Sequence, residues 1–483
     1  MFKERIKTSA IILLFVNLIA MTAQLWFSGG ILDEEIADFA RGLPFLEELF
    51  ADQEISIPRE MLSHPRKILI NDGSLWIAYY NTDVAFSPIE NRTRQIIEGF
   101  LRGDALDSKP VTFREWQAAL ENVSIYVELP IAYSMEMLCS VMGVENETPP
   151  GELSAVKDFI ILPSTEETGV FVLVRDAYDS DNARIYQFAK ESFSLPAGDL
   201  AIYTDSNSGY YEPAFSTGAT PEGVALDPMV LFFDSRPATV DLLPGNPIAA
   251  PEDGQRVLGR FFNNVDTAGR YGEDGVSIYV ENYGDAIIYP NGLFEYRAVG
   301  EDKGVKITEN YSSYYETVNS AISFAEDLWS QISGSPLSVL VSSDLTQAGS
   351  RIHITMDYYQ DGRPVAVRLE EGESFEPLNH GIEIDIVDGR IVSYRQFFRN
   401  YEAAGFSVLS GDFIDSLDHF VNDFMSREDP VITDIYIGYM DRGGQELLRT
   451  CWLAKVSGDE RVYSYVVEDD DIPLAEEAEV VIP

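Results

Sequence analysis

The eighteen residues from Ala10 to Phe27 constrain this chain more than any other feature. They form an almost uninterrupted apolar run, preceded by Lys3, Arg5 and Lys7 and followed by Asp33, Glu34, Glu35 and Asp38. At about 1.5 Å per helical residue the run spans about 27 Å, close to the hydrocarbon thickness of a bilayer. It predicts one membrane-crossing helix. Positive charge before it and negative charge after it place residues 1–9 in the cytoplasm and everything past Gly30 outside.

A secretory signal has a shorter apolar core and a small-x-small cleavage site, whereas this run ends in Leu25, Trp26 and Phe27. Ala20 and Ala23 form no Ala-x-Ala triplet, and no Cys follows to accept a lipid. Length and flanks therefore favour an uncleaved anchor, with Trp26 as an interfacial residue. Asn17 lies near mid-membrane, where its amide either meets a partner helix or bonds its own backbone, and the two readings stand level. Asn17 and Trp26 are the candidate partner-binding residues. With so short a cytoplasmic segment, a message sent inward has to pass through the anchor or another membrane protein.

The remaining roughly 450 residues exceed what one core usually serves, so two or three domains are expected. With 45% apolar residues and 12% aromatics, they can fill such cores. A net charge of −46 disfavours nucleic acid, whose phosphates need clustered Lys and Arg, and an anionic membrane surface would repel the head. The acidic tail, Glu468 to Asp471 with Glu476, Glu477 and Glu479, reads as a solvated segment. Cys139 and Cys451 both lie in apolar stretches, which favours two buried thiols, with a disulfide as the alternative.

The fold class expected is α+β. Residues 28–62 form a linker, and a mixed first ectodomain covers 63–244. Helices are expected at Pro88 to Leu101, at Thr112 to Leu120 with a Thr112/Glu115 capping box, and at Tyr133 to Met142. Strands are expected at Leu75 to Tyr80, Ser124 to Leu129, Phe159 to Leu162, Gly169 to Arg175, Arg184 to Phe188, Leu200 to Thr204 and Met229 to Asp234. Pro237, Pro244, Pro247 and Pro251 then punctuate a boundary, after which a small middle domain, 245–313, carries a helix and a β-meander. Residues 314–483 read as two helix-plus-antiparallel-sheet repeats. Helix one presents Val318, Ile322, Ala325, Leu328, Trp329 and Ile332 on one face; helix two, capped by Asp412, presents Phe413, Ile414, Leu417, Phe420, Val421, Phe424 and Met425. Asp361-Gly362 and Asp388-Gly389 between alternating runs signal hairpins.

Three stretches carry a family resemblance: Lys3 to Lys7 before a single span; Val230 to Asp234 followed by Tyr271 to Gly275 and Ala286 to Tyr296; and Gly381 to Ile384, Val392 to Tyr394 and Leu447 to Trp452 followed by Tyr463. Together they resemble the YycH/YycI family of membrane-anchored regulators of the cell-wall two-component system of Gram-positive bacteria, with YycH nearer in length. The resemblance implies a multi-domain extracytoplasmic head and modulatory control of a sensor histidine kinase, with a paralogous anchored regulator as a further partner.

Enzyme readings are weaker. Ser154 to Lys157 and Ser180 to Asn182 imitate Ser-x-x-Lys and Ser-Asp-Asn boxes, but they lie too close together and no Lys-Thr-Gly follows. His64, His353, His380 and His419 are scattered, and Asp176, Asp179 and Asp181 lack the Gly and terminal Glu of a calcium loop. No cofactor, metal site or catalytic set is expected. The leading reading is a regulator that binds a sensor kinase, and the rival is a surface-anchored binder of wall glycan or a small molecule. For that rival, Tyr210-Tyr211, Tyr314-Tyr315 and Tyr358-Tyr359 would supply stacking surfaces; the plainer reading packs these tyrosines in strands.

Overall fold

The computed structural model describes residues 62–466, apart from short internal stretches of which 81–85, 146–149, 165–168, 201–209, 234–237, 342–345 and 371–374 are the longest. The expected span, residues 28–61 of the linker, residues 201–204 of the strand expected at Leu200 to Thr204 and the acidic tail lie outside the described residues. Among the described residues no helix is long and apolar enough to cross a membrane. The molecule is α+β, as the sequence predicts.

The first layer begins with β1 (Lys67–Asn71) and β2 (Trp76–Tyr79), then α1 (Phe86–Arg102), β3 (Asp107–Val111), α2 (Phe113–Leu120), β4 (Ser124–Tyr133) and α3 (Met135–Met142). It continues through β5 (Val156–Leu162), β6 (Phe171–Asp176), β7 (Ala183–Gln187), β8 (Tyr210–Pro213), α4 (Ala214–Thr217), β9 (Ala225–Leu226) and β10 (Leu231–Phe233). All of these strands except β9 join one nine-stranded sheet in the order β10-β8-β2-β1-β4-β5-β6-β7-β3, with antiparallel neighbours. Period-two alternation then decides which helix covers which face. Leu69, Tyr126, Ile160 and Leu173 are cross-strand neighbours on one face, where Trp116 and Leu120 of α2 complete the core. Phe159 points the other way and meets Phe100 of α1 edge to face at 5.7 Å. Thr112 caps α2 through the expected box, its hydroxyl accepting from the Glu115 amide while Glu115 accepts from the Thr112 amide.

The second part starts with β11 (Ala238–Gly245), α5 (Pro251–Phe261), β12 (Gly269–Tyr271), β13 (Ser277–Glu281), β14 (Gly284–Ile288), β15 (Leu293–Ala298), β16 (Val305–Lys306) and α6 (Tyr314–Ser333). There follow β17 (Val339–Val341), β18 (Thr346–Ala348), β19 (Arg351–Gln360), β20 (Arg363–Val367), β21 (Ile382–Val387), β22 (Arg390–Phe397) and β23 (Asn400–Val408). The chain closes with α7 (Phe413–Phe424), β24 (Val431–Asp441), β25 (Cys451–Val456) and β26 (Tyr463–Tyr465). A fifteen-stranded sheet runs β12-β13-β14-β15-β22-β21-β19-β20-β24-β25-β26, with β16, β17, β18 and β9 attached to its flanks.

Two joins in this sheet differ from the boundaries drawn from sequence. The meander β12 to β15 does not stand apart, because β15 pairs antiparallel with β22 from Leu293↔Phe397 to Arg297↔Ser393. The sheet beneath α6 and the sheet beneath α7 are likewise continuous, since β20 and β24 pair in parallel from Val365↔Tyr439 to Val367↔Asp441. Helix α6 seats Trp329 against Tyr358 and Phe398, while α7 seats Phe413 against Trp452. The Pro-punctuated stretch expected to be a boundary contains β11, which pairs with β23 as a separate two-stranded ribbon despite Pro244.

Candidate functional site

The densest collection of buried charge lies where the nine-stranded sheet meets the large one. Arg66, just before β1, donates to Asp434 of β24 and, at 3.4 Å, to Glu128 of β4. Lys67, the first residue of β1, places Nζ 2.9 Å from the same Glu128 and donates to the Met229 carbonyl at 3.3 Å. The alternation of β1 buries Ile68 and Ile70 on one face and Leu69 on the other, so the ion pairs form only where the strand enters the seam. Burial pushes the Glu128 carboxyl up, but Lys67 and Arg66 outweigh it and hold it well below the usual carboxylate range. Lys455 of β25 shares this region; burial pushes its ammonium down to about 8, with Arg66 adding to the effect. The guanidinium of Arg66 also lies 5.5 Å from the Tyr436 ring centre.

A second contact between the two parts is made by helices. The Met-rich α3, with Met135, Met137 and Met142 buried, packs against α6. Glu326 of α6 has a buried Oε1 without a hydrogen-bond partner, and burial, reinforced by Asp327, pushes its carboxyl up to about 7. Aromatic packing supplies a third contact, as Phe232 and Phe233 of β10 lie 4.6 and 6.0 Å from Phe413 of α7. Ion pairs, helix contact and aromatic cluster together form a joint that fixes one part against the other.

Residues singled out by sequence are dispersed. Asn17 and Trp26 lie outside the described residues. Cys139 and Cys451 are both free and buried, and burial pushes the Cys451 thiol up to about 12. The Ser154 amide and hydroxyl both donate to Asp176, the latter at 2.7 Å, while Lys157 sits within strand β5 rather than one turn along a helix from Ser154. Asp176 also accepts from the Tyr178 amide, and Asp179 accepts from the Asp181 amide, so these carboxylates bind their own turn instead of converging. Among the described residues no cluster of His, Cys, Asp and Glu has the arrangement to hold a metal ion. Each histidine pairs with one carboxylate: His64 with Glu90, His353 with Asp385 at 2.9 Å, His380 with Asp357 at 3.1 Å and His419 with Asp423 at 3.3 Å.

Three of the paired tyrosines have clear packing partners. Tyr358 is buried and donates to the Phe397 carbonyl at 2.7 Å, Tyr359 donates to the Gly362 carbonyl, and Tyr211 packs on Phe233. An open cleft of about 510 Å³ beside α4 is lined by Gln117, Phe215, Pro221, Val224 and Leu226 among others, with no charged side chain in its wall. No signal in the sequence relates Arg66, Glu128, Asp434 and Lys455, which lie far apart along the chain and meet only through sheet pairing.

These features define a class: an α+β head in which a nine-stranded antiparallel sheet is locked by buried ion pairs onto a larger mixed sheet. Its fold is similar to that of YycH from Bacillus subtilis, whose crystal structure superposes with a TM-score of 0.50 at 11% identity, covering 83% of this chain and 96% of that one. The resemblance seen in the sequence is thus present at the level of the fold. An uncharacterized protein from Eubacterium rectale aligns with a TM-score of 0.33 and 12% identity over 51% of this chain and 87% of its own. No family model and no curated protein matches the sequence.

Proposed function

We propose that this chain is a membrane-anchored extracytoplasmic regulator that binds a sensor histidine kinase of a cell-wall two-component system and biases its conformational equilibrium. The observation that carries this reading is the likeness to YycH over most of both chains. The apolar run at 10–27 and its flanking charges support a tethered head, with the residues before the run inside and those after it outside. A partner shifts an equilibrium only by preferring one of its states, so contact with the kinase is expected to depend on the kinase's signalling state. A paralogous anchored regulator is a further candidate partner.

The test replaces the whole anchor by an unrelated apolar span and, separately, Asn17 by Leu and Trp26 by Ala. Co-purification with the kinase and the output of its response regulator are measured. Loss of either on anchor exchange supports control through the membrane helix, and unchanged values for all variants remove it. The rival reading as a glycan binder is less supported, since three of the six tyrosines it would use, Tyr211, Tyr358 and Tyr359, pack against another ring or backbone carbonyls.

A further inference from the structure

Among the described residues, the ribbon of β11 and β23 is placed unlike the outer strands of the two larger sheets. Edge strands of soluble proteins are blunted by shortness, Lys or Pro, because a long bare edge templates pairing with another chain. The outer strands of the two larger sheets follow that rule. β10, β12 and β26 have three residues each, and β3 carries Lys109 and Pro110. β23 departs from it: nine residues, Asn-Tyr-Glu-Ala-Ala-Gly-Phe-Ser-Val, without Lys or Pro, interrupted by a bulge at Ala404 and regular again from Gly405 to Val408, and paired only with β11 among the described residues.

The side chains point to the same conclusion. Phe406 is 82% exposed and Val408 61%, two residues apart and therefore on one face. Val240 lies directly across from Phe406 and extends that face. The opposite face is already satisfied, for Ser407 donates to Asp241 and the Thr239 hydroxyl lies 2.6 Å from that of Thr450. Asp241 is buried against Ser407, which leaves Glu402 as the exposed charge within the two strands, acidic on a chain whose net charge is −46. A second copy would bring the same acidic surface and be repelled.

We propose that the free edge of β23 receives an extended, basic segment of a different protein as an added strand, with alternate apolar side chains of that segment covering Phe406 and Val408. Backbone hydrogen bonds would supply affinity, and the apolar face with its acidic setting would supply selectivity. This goes beyond the kinase reading and stands whether or not that reading holds.

The test uses the full chain and, as probe, a labelled nine-residue peptide of alternating Lys and Val, at physiological salt so that loose ionic adsorption is screened. Binding is followed by anisotropy, and protection of residues 400–408 by hydrogen exchange. The expected result is saturable binding that slows exchange across β23 and weakens at least about tenfold in both Phe406→Asp and Val408→Asp. Replacing the two central valines of the peptide by proline has the same effect, because proline cannot pair in a ladder. Leu106→Asp, a matched change at a site 68% exposed, leaves binding unchanged. Binding that survives Phe406→Asp or the proline peptide within about twofold marks ionic adsorption and overturns the proposal. So does absence of binding, or a dimer of this chain in sedimentation that Phe406→Asp dissolves.

Discussion

Glu326 shows how one side chain ties the stability of the molecule to pH. Its carboxyl is pushed up to about 7 from an ordinary 4.5, chiefly by burial. The folded state therefore holds this proton more tightly than the unfolded chain. Stability from this group is greatest below the unfolded value of 4.5 and falls as pH rises through about 7. Because solvent still reaches part of the side chain, the ionised form costs the fold about 1 kcal/mol rather than the full linkage value. Glu326→Gln is expected to raise the melting temperature at pH 8 and to leave it unchanged at pH 4, where the parent is already neutral. An equal gain at both pH values would assign the effect to packing instead of titration. The amphipathic spacing of α6 was legible, but spacing alone does not reveal which flanking positions tertiary packing takes out of water. The raised carboxyl is a property of the folded molecule.

At the scale of elements, legibility follows locality. The hairpin between β21 and β22 was readable because Asp388-Gly389 demands positive φ at both positions, and they adopt 47° and 70°. The caps of α2 and α7 were readable for a similar reason, since Thr112 and Asp412 bond to amides three residues on. The ribbon was not readable. Pro244 reads as a breaker, and the small residues Ala403, Ala404 and Gly405 blur the alternation of β23. The parallel join of β20 to β24 was equally hidden, because nothing local announces a partner some seventy residues away. Gly438 sits beside that join, where an added Cβ would lie 2.6 Å from the Pro364 carbonyl oxygen and 2.7 Å from Leu453 Cδ1. Gly438→Ala is expected to destabilise by about 1–3 kcal/mol in denaturant titration, as overpacking does. Gly444→Ala is the control: the nearest atom to its Cβ would be 3.8 Å away, and it should shift stability by less than about 0.5 kcal/mol. Similar losses at both glycines would refute the close-approach argument.

At the scale of the whole molecule, the question is why an acidic chain spends scarce cations inside. The sequence has 34 Lys and Arg against 80 Asp and Glu, yet Arg66 is committed to Glu128 and Asp434, and Lys67 to Glu128, at the seam. Buried ion pairs add little net stability compared with apolar packing, but removing one member leaves the other charge uncompensated. The pairs thus act mainly to make one relative placement of the two sheets much better than its neighbours. The regulatory role proposed above would need that property, because a shift at one surface reaches another only through parts that move together. Asp434→Asn is therefore expected to cost about 3 kcal/mol and to split a single calorimetric transition into two, with the nine-stranded part melting first. The double variant Arg66→Met with Asp434→Leu removes both charges and should regain most of the loss, since an apolar pair of similar volume replaces the ion pair. If Asp434→Asn melted at the parental temperature in one transition, the seam would not couple the two parts, and the aromatic contact of Phe232 and Phe233 with Phe413 would be left as the joint that holds them.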